Sequence, residues 1–147
     1  MTTEKTIDLF SLAGAALNGL GTQYEAALRQ TNADLGLEGQ DWNLLFSVQG
    51  VEPAPITAAL LQQFAPYITL ETLERRLADA AGRGLLQADA TGSYRLTDRG
   101  RQAVQQSFGA VHAALADVEP LPAADLTRLN QLLRRLVDAT IAAPAPA

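Results

Sequence analysis

The stretch Gly84-Leu-Leu-Gln-Ala-Asp-Ala-Thr-Gly-Ser-Tyr-Arg-Leu-Thr-Asp-Arg-Gly100 decides how this chain is read. Leu85 to Ala88 reads as a short strand, Asp89 to Gly92 as a turn, and Ser93 to Leu96 as the returning strand. Gly92 supplies a turn residue that takes positive φ without steric cost. Tyr94 and Leu96 alternate with polar Ser93 and Arg95, as in a strand with one packed face. Thr97 and Asp98 then open a new helix, with Gly100 close to its start. A two-stranded hairpin is marginal alone, so neighbouring elements must supply the surface it packs on.

Working outward, the pattern predicts helices on both sides. Thr69 is a plausible N-cap, Glu71 sits in the favourable first turn, and Leu73, Leu77 and Ala80 or Ala81 form the buried stripe of a helix that Gly82 and Gly84 end. A helix from near Glu38 to about Val48 turns Trp42, Leu45 and Phe46 inward. Another runs from about Pro55 to Pro66, since proline fits a first helical turn. The first helix covers residues 4 to about 29, with Ile7, Phe10, Leu17, Leu20, Tyr24 and Leu28 recurring mostly at three and four. Gly14, Gly19 and Gly21 weaken it, and Thr31 to Gly39 reads as a loop. The helix after the hairpin extends to about Val118. The last begins at Asp125 or the prolines before it, with Leu126, Leu129, Leu132, Leu133, Leu136, Val137 and Ile141 as a broad apolar face. The expected fold class is mainly α with a small β-hairpin. It is a winged helix-turn-helix lobe over residues 38–101, flanked by helices 4–30 and 102–142, in a single domain 1–147. The last helix cannot bury its apolar face alone. A two-fold homodimer using the first, fifth and last helices is the simplest remedy, and a monomer with these helices folded back is the competing arrangement.

At these residues the chain resembles the MarR-like bacterial regulators. Gly84 to Gly100 looks like their wing, and Leu96-Thr97-Asp98-Arg99-Gly100 looks like their leucine-threonine-x-x-glycine ending. Thr72 to Leu86 is similar to their recognition helix and its exit. The resemblance implies a DNA-binding transcriptional regulator. It would act as a homodimer on a pseudo-palindromic stretch of double-stranded DNA, with a small, frequently aromatic or phenolic, effector held between the dimer helices and the DNA-binding lobe. The turn Asp89-Ala-Thr-Gly-Ser departs from the family pattern, with no arginine at its tip. The helix before it also begins with Glu71 and Glu74, which phosphates repel and cytosine N4 can satisfy.

Candidate groove or phosphate contacts are Thr69, Thr72, Arg75, Arg76, Arg83, Arg95, Arg99 and Arg101, arginine being suited to bidentate contacts with guanine or phosphate. Against this stands a solvated helix surface with ion pairs such as Glu71–Arg75. Phe10, Tyr24, Trp42 and Phe46 are candidate effector-lining residues, or ordinary core. The net charge of -5 opposes a wide nucleic-acid grip. Residues 51–101 are the least acidic third, with six arginines against six acids. A winged-helix adaptor that contacts proteins rather than DNA is the alternative this charge favours.

The absence of cysteine excludes a disulfide framework and a thiol nucleophile. His112 is the only histidine and, with only Ser107 and Asp117 near it in sequence, makes neither an ordinary zinc site nor a triad. The glycines at 14, 19 and 21 lack the strand and lysine of a phosphate loop. No enzyme, metal or cofactor is expected. No stretch suits a membrane span and the first residues lack signal-peptide character, so a cytoplasmic protein is expected.

Overall fold

The structure, a computed structural model, describes residues 3–115 and 121–143. Its elements are α1 (Thr3–Leu35), α2 (Gly39–Val51), α3 (Ala58–Phe64), α4 (Leu70–Gly82), β1 (Leu86–Ala88), β2 (Tyr94–Leu96), α5 (Asp98–Leu115) and α6 (Ala123–Ala142). This is the expected order: three helices, a hairpin, and long helices before and after. The strands pair antiparallel with Leu86 opposite Leu96 and Ala88 opposite Tyr94. Asp89 closes the turn. Its carboxylate accepts from Thr91 N–H (2.8 Å), Thr91 Oγ1 (2.6 Å) and Ser93 N–H (3.1 Å), and Gly92 takes φ 79°.

The hairpin packs on a core shared by α2, α3, α4 and α5. Leu45, Val48, Ile56, Leu73, Leu77 and Val104 are fully enclosed there, and Leu85, Leu86 and Leu96 bring the hairpin onto it. Each helix of the lobe starts on a side-chain cap that satisfies an orphan amide. Asp41 Oδ2 accepts from Glu38 N–H, Thr57 Oγ1 from Leu60 N–H, and Thr69 Oγ1 from Thr72 N–H.

Three boundaries differ from expectation, each through a tertiary contact. The first helix continues to Leu35 rather than ending near 29, because Asn32 is buried, Leu35 packs on the core, and the stop falls at Gly36, φ 67°. The helix from Glu38 runs past Val48 to Val51, whose side chain is also buried. The third helix starts at Ala58, not Pro55. Ile56 instead forms an antiparallel bridge to Tyr94, with N···O distances of 3.0 and 2.8 Å, adding one residue of a third strand to the hairpin. The side chains of Ile7, Leu17 and Leu20, and the expected helix end near Val118, lie outside the described residues.

The last helix has no buried residue. Val137 and Ile141 pack against the core, while Leu129, Leu132, Leu133 and Leu136 are between 42% and 52% exposed. On a wheel of 3.6 residues per turn these four leucines fall in one narrow arc, beside the arc that carries Val137 and Ile141.

Candidate nucleic-acid interface

The helix α4 presents the surface that the helix-turn-helix order would offer to a groove. Leu73, Leu77 and Ala80 bind it to the core, and Glu71, Arg75, Ala78 and Gly82 lie on the opposite, exposed face. Tyr67, on the turn into α4, is almost completely exposed, a position that periodicity did not mark. Thr69 is committed as the cap: its hydroxyl accepts from Thr72 N–H at 3.3 Å and donates to Thr72 Oγ1 at 2.8 Å. The Thr72 hydroxyl keeps its own proton to donate.

The arginines divide into three kinds. Arg75 and Arg76 form no ion pair among the described residues, and the expected i,i+4 pair Glu71–Arg75 is not made. Arg76 is half-buried in a groove of about 430 Å³ that Glu38, Asp41, Asp79 and Arg83 also line. Arg95 and Arg99 rest on neutral carbonyls, donating to Pro53 O at 2.7 Å and Arg83 O at 3.2 Å, and neither forms an ion pair among the described residues, although Arg95 and the Asp89 carboxylate feel each other electrostatically. Arg83 and Arg101 are neutralised. Arg83 makes a bidentate pair with Asp41 at 2.7 and 2.5 Å, and Arg101 one with Glu52 at 2.9 and 3.1 Å. Bidentate guanidinium–carboxylate contacts are strong and directional, so these two side chains hold the lobe together. Neither carboxylate partner was singled out from sequence, since Asp41 and Glu52 lie 42 and 49 residues from their arginines.

The segment 50–53, from the last turn of α2 into the connection to α3, gathers arginines from three elements. Arg134 of α6 donates to Gly50 O and Glu52 O, Arg101 of α5 pairs with the Glu52 carboxylate, and Arg95 of β2 donates to Pro53 O. The wing, the helix after it and the last helix are thereby fixed to one short loop.

The Asp41–Arg83 pair ties the end of α4 to the start of α2. The hydrogen bond from Arg83 holds the Asp41 carboxyl below its ordinary value of 3.8, against the opposing effect of burial. A depressed carboxyl stabilises the fold above its unfolded value and loses that contribution as pH falls through the folded one. Wild type and Asp41→Asn should therefore differ by on the order of 1 kcal/mol between pH 5 and 8, the half-exposed arginine limiting the size. The difference should shrink below about pH 4. Urea unfolding across pH measures this. A gap that stays constant down to pH 2.5 would mean that the pair contributes nothing specific.

On the far side of α2 the candidate effector residues form part of an aromatic ladder. Trp42 meets Phe46 edge-on at 5.0 Å, and Phe46 stacks on Phe108 at 4.6 Å. Phe108, which is not among the candidate effector residues, belongs to this cluster. The side chains of Phe10 and Tyr24 lie outside the described residues. Asn32 Oδ1, Gln49 Oε1 and Ser107 Oγ, from α1, α2 and α5, are buried without a hydrogen-bond partner in the protein.

No protein-family model matches the sequence, and no curated protein matches it. Solved structures share the fold. A MarR family protein from Bacillus stearothermophilus superposes with a TM-score of 0.58 at 16% identity, over 96% of this chain and 99% of that one. A MarR family protein of Mycobacterium tuberculosis, solved in complex with DNA, gives 0.55 at 20% identity, over 84% of this chain and 95% of that one. CouR from Rhodococcus jostii RHA1, bound to p-coumaroyl-CoA, gives 0.56 at 15% identity, over 85% and 91%. The chain has the winged helix-turn-helix fold of the MarR regulators.

Proposed function

We propose that this chain is a DNA-binding transcriptional regulator that acts as a homodimer on a pseudo-palindromic operator. One observation carries the reading. A capped helix with unpaired Arg75 and Arg76 stands beside Arg95 of the hairpin and Arg99 at the start of α5, neither of them in an ion pair, while the arginines that brace the lobe are neutralised internally. That divides the cations into structural and available sets: Arg75, Arg95 and Arg99 are exposed, while Arg76 lies half-buried on the flank of α4. Two such helices related by a dimer axis would enter successive major grooves, with the wing arginines and Thr72 on phosphates. The Mycobacterium tuberculosis relative in complex with DNA supports the same use of the fold.

The exposed leucines of α6 support self-association of this chain. The ladder Trp42–Phe46–Phe108, with unpaired polar atoms on the three helices packed there, supports an aromatic effector, as does the p-coumaroyl-CoA bound by CouR. An effector seated there would act on DNA by changing the angle between the lobe and the dimer helices.

Fluorescence anisotropy on a pooled library of short duplexes tests the reading. Binding should select a two-fold symmetric site and persist near physiological salt. Arg75→Ala or Arg95→Ala should weaken it by roughly 1–3 kcal/mol for a base contact and less for a phosphate contact. Binding that vanishes with salt and selects no site would leave the protein-contacting adaptor in its place.

A further inference from the structure

Along the line of α4 directly opposite the core, Glu71 and Arg75 are the two side chains longer than a methyl group, with exposed Glu74 and Asp79 on its flanks. Its buried stripe of Leu73, Leu77 and Ala80 puts Glu71, Arg75, Ala78 and Gly82 directly opposite, and all four are exposed. Ala78 and Gly82 leave the second half of the helix slim, so this face can approach another surface closely. Glu71 and Arg75 are opposite in charge and one turn apart, yet neither bonds the other and neither has a partner among the described residues. An acid on a surface meant for polyanionic DNA costs affinity unless a base satisfies it, a cost set against the favourable place of Glu71 in the first turn of α4.

We propose that Glu71 and Arg75 are the base-reading pair of this protein. The Glu71 carboxylate accepts from the N4 amino group of a cytosine, and the Arg75 guanidinium donates to O6 and N7 of a guanine. Four residues of helix advance about 6 Å, close to two base steps of about 3.4 Å, so the two bases lie within one or two steps of each other in each half-site. The inference rests on the DNA-binding reading above and adds the identity of the bases. Arg75 supplies attraction. Glu71 supplies rejection, because facing any base without an amino donor it would be a desolvated, unpaired carboxylate near phosphates. An acidic first turn thus fits a protein that binds few sites rather than many.

Selection from a randomised duplex library by wild type, Glu71→Gln and Arg75→Ala, with the base preference read position by position, tests the assignment. Both positions are exposed, so the variants keep the core intact. Wild type should select cytosine and guanine one or two steps apart in each half-site. Glu71→Gln should move the cytosine preference to adenine, which glutamine reads through N6 and N7, and should bind unselected duplex several-fold more tightly. Arg75→Ala should flatten the guanine preference and weaken the selected site by about 10- to 100-fold. If wild type selects a site and both variants select the same bases with the same strength, the assignment is overturned while DNA binding stands. If wild type selects nothing, the DNA-binding reading falls and the assignment with it.

Discussion

Gly100→Ala is expected to destabilise the protein by roughly 1–3 kcal/mol, lowering Tm by several degrees. A Cβ at this position would lie 2.0 Å from the Leu85 carbonyl oxygen, 3.0 Å from its carbon and 3.3 Å from Leu96 Cδ2. The obstacle is backbone, so no rotamer change relieves it. The Leu85 oxygen also accepts from Thr97 N–H at 3.1 Å, while Thr97 Oγ1 accepts from Gly100 N–H at 3.0 Å and has one proton to share between Gly84 O at 2.6 Å and Leu85 O at 3.1 Å. Pushing α5 away from Leu85 therefore breaks the cap of α5 and the tie between both ends of the hairpin together. The cap alone is worth about 1 kcal/mol, and overpacking costs about 1–3 kcal/mol. Alanine's better helix propensity returns only about 1 kcal/mol. Gly109→Ala, in the same helix with open space around it, isolates that propensity gain and should be neutral or slightly stabilising. Thermal and urea unfolding of the two variants decide the matter: equal stabilities would mean that the close approach at Gly100 is not a constraint.

The same contacts explain which parts of this fold were readable before the structure. The motif Leu96-Thr97-Asp98-Arg99-Gly100 is a local device. Leu96 enters the core, Thr97 caps α5 and clips it to the exit of α4, and Gly100 lets the helix meet the backbone of Leu85. Residues near in sequence carry all of it, so the pattern was legible. The cap at Thr69 and the buried stripe of α4 were legible for the same reason. What failed depended on partners far along the chain. Pro55 and Ile56 look like a first helical turn until Tyr94 takes both backbone groups of Ile56. The glycines of α1 argue for a weak helix at about 1 kcal/mol each, yet α1 continues to Leu35, where packing against the core outweighs local propensity.

The candidate site divides along the same line. Eight residues qualified by type and position, but type alone does not tell a bracing arginine from an available one. Asp41 and Glu52 make that distinction by claiming Arg83 and Arg101. Once those two are removed from the charge available to a ligand, the acidic balance of the chain becomes sharper. On the proposed reading, affinity for DNA would come from a few placed contacts and from doubling them across a dimer, not from a broad basic field.

That dependence makes the dimer the second decisive test. Leu132→Glu combined with Leu136→Glu is expected to leave a folded monomer and to weaken binding to a two-fold site by at least 1,000-fold. Burying the exposed half of a leucine contributes roughly 1 kcal/mol, so Leu129, Leu132, Leu133 and Leu136 from two copies contribute on the order of 8 kcal/mol before the costs of association. The double variant removes about half of this and places four carboxylates in an apolar seam. A loss of about 4 kcal/mol is roughly a 1,000-fold weaker dimer. The fold itself should survive, because no residue of α6 is buried within the chain and the contacts of Val137, Ile141 and Arg134 are left in place. Sedimentation equilibrium over a concentration series, beside circular dichroism, separates the outcomes. A folded variant that still dimerises would show that these leucines lie outside the interface, and a wild type monomeric at tens of micromolar would remove the dimer altogether. A monomeric variant that still held the two-fold site at full strength would show that one recognition helix suffices, which the sparse charge of this lobe argues against.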